Sequence, residues 1–389
     1  LLLALALAHP LVLAGSAWFT DPASAWQRMV LMMRAPNLQS GVVAMALLVA
    51  LVALAVLRGR MRYEFWRAVH GILALGAIAL IVHHALAAGL YSADGALRLV
   101  WLGLGAAVFA TVVYLYLVRT IMLRRNPWQV ARVEPLARGL WQVTLQPLRR
   151  ALEYRAGQFV WMSLAGRRIP LFDHPFSIAS SPRAGPALDL VIKEAGDFTD
   201  RTGALQPGTE VGLDGPHGSF VLPQDATRVL LIAGGAGIAP ILGILRDLAL
   251  SGFSGPVGLI YAGPSEQDMI PPRHIAAAAA GLAFRPVFVA ERTDGQGVHR
   301  RGTIDGAVLR DALGDGDPAD TTVMLCGPDA LMTGVADTLH DLGVPLANIH
   351  YERFDYAHGA RSRRDRASSR RFWAMGAAIV LAVIAVSLR

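Results

Sequence analysis

Three imidazoles, His70, His83 and His84, lie in one apolar run, WRAVHGILALGAIALIVHHAL, and His9 lies in another at the start of the chain. Lipid cannot satisfy an imidazole, so an intramembrane histidine reads by default as functional. The structural alternative is a histidine hydrogen-bonded to a neighbouring helix. Spacing favours metal chemistry: His70 and His83 are 13 residues apart, a helical rise of ~20 Å, which sets two sites in opposite halves of a bilayer. Two stacked b-type haems need that separation, each iron held by imidazoles from two helices. Thirteen steps on an ideal helix turn a side chain ~140° off the starting face, fourteen only ~40°. His84 thus shares the face of His70 better than His83 does, although a bulge or supercoil shifts this. Both are candidates.

Three further stretches carry chemistry. HPFSIASSP begins with His174, Pro175, Phe176 and Ser177, and KEAGDFTDR follows with Lys193, Gly196, Phe198 and Thr199. Hydroxyls, backbone amides and one lysine are the groups that hold a pyrophosphate; turns with an ordinary surface lysine are the alternative. LLIAGGAGIAP places Gly234, Gly235 and Gly237 before Ile238, Ala239 and Pro240. A glycine turn entering a helix brings amides and a favourable dipole to a phosphate, yet Pro240 stands where the last glycine of GxGxxG would be. MLCGPDALM puts Cys326, Gly327 and Pro328 between strand and helix, where a small polarizable thiol suits a nicotinamide ring, or is simply a buried cysteine.

Elements must position these groups. The chain has 389 residues, 54% hydrophobic, with 36 basic against 29 acidic side chains. Four runs approach the ~20 apolar residues that a bilayer requires: residues 1–19, 41–57, 66–90 and 97–123. The chain starts inside the first, which is expected to be a truncated span with earlier spans missing; a signal peptide is disfavoured because no basic region precedes it. Arginines at 58, 60, 62 and 67, at 119, 124 and 125, and from 361 to 371 flank the apolar runs. The positive-inside rule puts them on the cytoplasmic face. The single cysteine excludes a disulfide framework and a cysteine-ligated iron–sulfur cluster within this chain. After residue 125 alternating strands suggest an antiparallel β-barrel over 126–224, then strand–helix alternation a parallel α/β sheet over 225–357. An arginine-rich linker, 358–371, leads to an apolar stretch, 372–389, expected to be a C-terminal transmembrane anchor.

Together and in this order, the motifs resemble the ferredoxin–NADP reductase superfamily, and more closely its membrane branch, the ferric reductases and NADPH oxidases. The resemblance implies a multi-domain chain: a transmembrane helical haem bundle (1–125), an FAD domain and an NAD(P) domain. It implies that His174, Pro175 and Phe176 line FAD, with Ser177 near the reactive flavin nitrogen. Gly196, Phe198, Thr199 and Lys193 would serve the FAD pyrophosphate, and residues 234–240 the pyrophosphate of NADPH or NADH. Cys326, Gly327 and Pro328 would position nicotinamide, with Glu352 and Phe354 as the C-terminal acid and aromatic. His70 and His83 match the family's core helix, and His9 the outer histidine of its partner helix. The inner partner would precede Leu1.

The implied activity is NAD(P)H-dependent electron transfer through FAD and b-type haem, two in the full-length protein, to an acceptor across a bacterial-type inner or plasma membrane. Ferric chelates, dioxygen, a quinone or a membrane protein partner all suit, and nucleic acid does not. One rival is a membrane-anchored flavin reductase without haem; another is a haem-bearing membrane subunit or sensor. The arginine that usually recognises the 2′-phosphate of NADPH after the second sheet strand is absent from YAGPSEQD, where only Ser265 stands, with Arg292 as a substitute.

Overall fold

The apolar runs fold as helices because a lipid-facing backbone must satisfy its amides and carbonyls internally. The computed structural model describes residues 2–353, apart from 14, 16, 62, 90–91, 165–172, 197 and 294–296, together with Ala374. It resolves into two units, one built on Leu1–Thr120 and the other starting at Ile121.

The first unit holds α1 (Leu2–Leu13), α2 (Ala17–Thr20), α3 (Pro22–Arg34), α4 (Gln39–Leu57), α5 (Tyr63–Ala87) and α6 (Gly95–Val113). A π turn over Tyr114–Val118 continues α6 into α7 (Arg119–Arg125). Among the described residues three stretches are long and apolar enough to cross a membrane: Pro36–Arg60, Phe65–Ala87 and Gly95–Arg125. The run expected over residues 1–19 is a shorter apolar helix, Leu3–Leu13. Helix α3 is an addition to the expected elements. Asp21 caps it by accepting from the Ser24 amide, Pro22 opens it and Arg34 closes it, a start-and-stop pattern written in the sequence. Val56, Ile72, Leu99 and Phe109 point outward and are largely exposed, the surface expected of helices that are apolar all round.

The second unit opens with an antiparallel sheet: β1 (Trp128–Ala137), β2 (Leu140–Pro147), β3 (Phe159–Leu164), β4 (His174–Ser177), β5 (Leu188–Lys193) and β6 (Glu210–His217), in the order β4-β3-β6-β1-β2-β5. Trp128, Val130, Leu145, Met162, Ile178 and Leu190 fill its core. Among the described residues the expected barrel does not close. Strand β4 is only four residues long, and its side meets β5 at a single bridge, Ile178–Leu190, rather than along a ladder.

The chain then alternates: β7 (Arg228–Gly234), α8 (Ile238–Ser251), β8 (Pro256–Ser265), α9 (Pro272–Ala278), β9 (Ala283–Arg292), β10 (His299–Arg301), α10 (Gly306–Leu313), β11 (Thr321–Gly327), α11 (Asp329–Asp341) and β12 (Ile349–Arg353). The sheet is parallel, in the order β10-β9-β8-β7-β11-β12. β11 is buried throughout, and β7 everywhere but its first residue, which is why both read as continuous apolar runs. The strand order reverses between β7 and β11, and a crevice at such a switch point is where open α/β sheets bind ligands.

Helix α8 joins the two sheets. Gly243 lies so close to the Ile178 carbonyl that a Cβ there would sit 2.5 Å from its oxygen. One turn on, Arg246 donates to the Ala179 carbonyl at 2.8 Å, to Asp189 Oδ2 at 3.1 Å and to Gln142 Oε1 at 3.2 Å. Ser181 donates to Asp247 at 2.6 Å. Phe354, the linker at 358–371 and the anchor expected over 372–389 lie outside the described residues, apart from Ala374.

Candidate flavin–nicotinamide site and the intramembrane histidines

The glycine turn and the cysteine turn meet at the switch point. β7 and β11 are paired up to Ala233 and Cys326, so the turns that follow them are side by side. Gly237 abuts the Cys326 carbonyl, leaving no room for a Cβ; a Cβ on Gly327 would stand 3.1 Å from the Gly234 Cα. Gly235 takes φ +54°, and a Cβ there would meet nothing within 4 Å. Helix α8 starts immediately beyond, and no side chain caps its first amides. Open space above a glycine, next to uncapped amides at a helix N-terminus, is an anion cradle. Ile238, Ala239 and Pro240 are buried beneath it and anchor the turn.

Strand β12 brings the acid in. Glu352 is the ladder partner of Cys326, and its Oε2 is buried without a hydrogen-bond partner. Burial pushes the Glu352 carboxyl up to about 7. Burial also drives the Cys326 thiol well above its ordinary value, and the neighbouring Glu352 carboxylate adds to this. Cys326 is therefore a neutral thiol rather than a nucleophile.

The two flavin motifs converge as well. Phe198 stacks on His174 with ring centroids 4.1 Å apart and on Phe176 at 6.0 Å. The turn behind Phe198 is self-bonded: Thr199 Oγ1 accepts from the Ala195 amide at 2.8 Å and Asp200 from the Gly196 amide at 3.1 Å. Pro175 is exposed, as is Lys193 at the end of β5. Ser177 Oγ is buried and has no partner. A buried hydroxyl normally finds one. A buried orphan hydroxyl on the strand that carries His174 and Phe176 fits a flavin that would supply the missing bond, so the residues present suit FAD.

In the helical unit, His70 stacks on Trp66 at 5.0 Å, and the Trp66 indole donates to the Leu54 carbonyl at 3.1 Å. Nδ1 of His70 and Nδ1 of His84 are both buried without hydrogen-bond partners. His84 lies against α4, where a Cβ on Gly41 would come within 2.6 Å of its ring. His83 and His9 are exposed. Fourteen residues apart on α5, His70 and His84 lie near one face of the helix. Among the described residues no group of three or more His, Cys, Asp or Glu side chains gathers as a metal site; a bis-imidazole haem asks only for two.

Sequence motifs did not point to Arg246, Glu266 or His299. The carboxylate of Glu266, right after β8, accepts from the Thr293 hydroxyl and lies 3.5 Å from His299 Nδ1. The signal available was an acid at the end of the second strand of a parallel sheet.

Comparison with known proteins agrees with this geometry. Residues 1–82 match a ferric reductase like transmembrane component, residues 125–219 an FAD-binding domain, and residues 231–337 an oxidoreductase NAD-binding domain. The reductase component of propane 2-monooxygenase from Mycolicibacterium smegmatis is 29% identical over 236 residues, 58% of this chain and 66% of that protein. The chain thus spans just under two-thirds of that relative. Ferredoxin–NADP reductase B from Sorangium cellulosum is 28% identical over 250 residues, 60% of this chain and 100% of that one. The structure of the ferredoxin reductase in carbazole 1,9a-dioxygenase shares the fold, with TM-score 0.52 at 23% identity over 59% of this chain and 69% of that one. The chain has the architecture of the ferric reductase and NADPH oxidase branch of the ferredoxin–NADP reductase superfamily, a ferric-reductase-like transmembrane part followed by FAD- and NAD-binding domains.

Proposed function

We propose that this FAD- and NAD-dependent oxidoreductase passes electrons from NAD(P)H through FAD and b-type haem to an acceptor across the membrane, ferric iron or dioxygen. The observation that carries the flavin half is a pair of buried polar atoms left without partners where cofactors would supply them, Ser177 Oγ and Glu352 Oε2. An unmet buried polar group costs about 1–3 kcal/mol, a burden that bound ligands would relieve. The haem half rests on the spacing of His70, His83 and His84 along α5 and on the match of residues 1–82 to a ferric reductase like transmembrane component.

When bound, FAD would convert the hydride of NAD(P)H into single electrons, and haem would carry them onward. The chain's own residues hold and orient. The uncapped start of α8 binds the nucleotide pyrophosphate. Cys326 and Gly327 set the floor on which nicotinamide lies, as a neutral, close-packed surface. Glu352 holds a proton near neutral pH beside it. His174, Phe176 and Phe198 form the aromatic slot, and Ser177 donates to a flavin ring nitrogen. His70 serves the inner haem, and His9 with His83 or His84 the outer one. The arginines of the loops put the reductase domains on the cytoplasmic face.

The deciding experiment is an anaerobic difference spectrum on membranes, with NADH, NADPH and dithionite added in turn. Haem reduction by a nicotinamide nearly as complete as by dithionite is the expected result. Haem that only dithionite reaches would favour the haem-bearing subunit. A second reading has its own support: the relatives are named as reductase components, so a haem-free, membrane-anchored flavin reductase would pass electrons to a separate partner. Flavin without haem absorbance would establish it.

A further inference from the structure

In a parallel α/β sheet the adenosine ribose is read at the end of the second strand: an acid accepts from a 2′-hydroxyl, whereas an arginine accommodates a 2′-phosphate. Here that strand, β8, ends at Ser265 and runs directly into Glu266 and Asp268. Glu266 is held by one hydrogen bond and lies close to a histidine. The Thr293 hydroxyl donates to Oε1, and His299 Nδ1 lies 3.5 Å from Oε2. The His299 side chain is only 8% exposed, neither of its ring nitrogens makes a hydrogen bond, and its ring leans on Phe288 at 5.6 Å. A carboxylate offers about four lone-pair sites, so Glu266 keeps capacity for a ribose hydroxyl.

The groups that would welcome a 2′-phosphate are engaged or set further out. The Ser265 hydroxyl donates to Asp268. Arg138 pairs with Asp268 at 2.7 Å, so those charges cancel. Glu266 and Arg292 are left. Arg292 is exposed at the end of β9, across the ladder from Ser265, whereas Glu266 directly follows the strand that reads the ribose and is held in place. A phosphate dianion there would meet a fixed like charge.

We infer that the nucleotide site selects NADH over NADPH, with Glu266 accepting a hydrogen bond from the ribose 2′-hydroxyl. This rests on the reductase reading above and deepens it.

The test follows anaerobic flavin bleaching in the FAD-loaded full chain in nanodiscs, mixed with NADH or with NADPH. The expected kcat/KM for NADH exceeds that for NADPH by roughly tenfold to a hundredfold, the size of one charge-assisted hydrogen bond. In Glu266→Gln the ratio falls toward one because the KM for NADH rises. A wild-type preference for NADPH, or none, overturns the inference. An unchanged ratio in Glu266→Gln overturns the role of Glu266. Competition on the wild type needs no variant: AMP should displace NADH better than adenosine 2′,5′-bisphosphate does, and the reverse order overturns the inference. If neither dinucleotide bleaches the flavin, the reductase reading fails, while tighter binding of AMP than of the bisphosphate still supports the ribose preference.

Discussion

Gly237 and Cys326 fit together only because Gly237 has no side chain: a Cβ would run into the Cys326 carbonyl. The contact ties the glycine turn to the cysteine turn, so moving one moves both. Gly237→Ala is expected to destabilise the reductase unit by about 1–3 kcal/mol through overpacking and to slow flavin reduction sharply. Gly235→Ala is different. Nothing crowds that site, but its φ of +54° strains any other residue, for about 1 kcal/mol. Thermal melts and stopped-flow reduction of both variants separate crowding from strain.

Ser177 gives the clearest division between stability and function. Its hydroxyl is buried and unpartnered, so removing it removes a desolvation penalty instead of a bond. Ser177→Ala should melt at or slightly above the wild-type temperature when FAD is absent. With FAD bound it should lose at least tenfold in the rate of flavin reduction while retaining haem absorbance. A variant that melts lower without FAD yet reduces flavin normally would mean that the hydroxyl is structural.

Burial raises the Glu352 carboxyl from 4.5 to about 7. The fold therefore favours the protonated form. Stability conferred at low pH is lost as pH rises from about 4.5 through 7, by of order 3 kcal/mol in all. Glu352→Gln, which stays neutral, should flatten that slope in thermal melts between pH 5 and about 8. If the proton on Glu352 matters to reduction, the rate in the parent protein falls above pH ~7 and in Glu352→Gln it does not. A parent protein whose melts and rates are flat across that range would refute both statements.

Much of this site was legible because each motif is local. The glycines around Gly235, the Cys326 turn and the β4 hydroxyl all lie in short stretches whose chemistry depends on neighbours in sequence. The pairing of Phe198 with His174 joined two such stretches that the sequence had already marked. Glu266 with His299, and Arg246 with Asp189, were not legible: each joins residues more than 30 apart, and a lone Glu or Arg carries no local pattern. The barrel expectation failed for a related reason. Alternation reveals strands, but closure depends on how far β4 extends alongside β5, and only tertiary contacts decide that.

The helix-face arithmetic for α5 has a spectroscopic test. His70 and His84 share the orphaned Nδ1 pattern, whereas His83 is exposed. Single alanine variants of His83 and His84, examined as dithionite-reduced membranes, should differ. The variant that loses the outer haem band identifies the ligand, and flavin content stays unchanged in either. His9→Ala should lose the same band, and His70→Ala the inner one. Full haem content in all four variants would return these histidines to structural roles.

Arg246 sets how rigidly the two sheets are mounted. It donates to a carbonyl, a carboxylate and an amide oxygen of the flavin sheet from a helix of the nucleotide sheet, and burial depresses its own pKa. Removing one side of a buried charge pair strands the other, here Asp189, at a cost of about 3–5 kcal/mol when the pair is fully buried. Both side chains retain some exposure, so about 2–3 kcal/mol is expected for Arg246→Ala. Asp189→Asn keeps a hydrogen-bond acceptor and should cost less. Because α8 carries both Arg246 and the cradle at its start, loosening it should also slow flavin reduction by saturating nucleotide, leaving bound FAD and haem absorbance intact. Denaturant melts together with saturating stopped-flow traces check both halves. Loss of stability with full reduction speed would show that the contact holds the sheets together without setting the distance that the reaction needs.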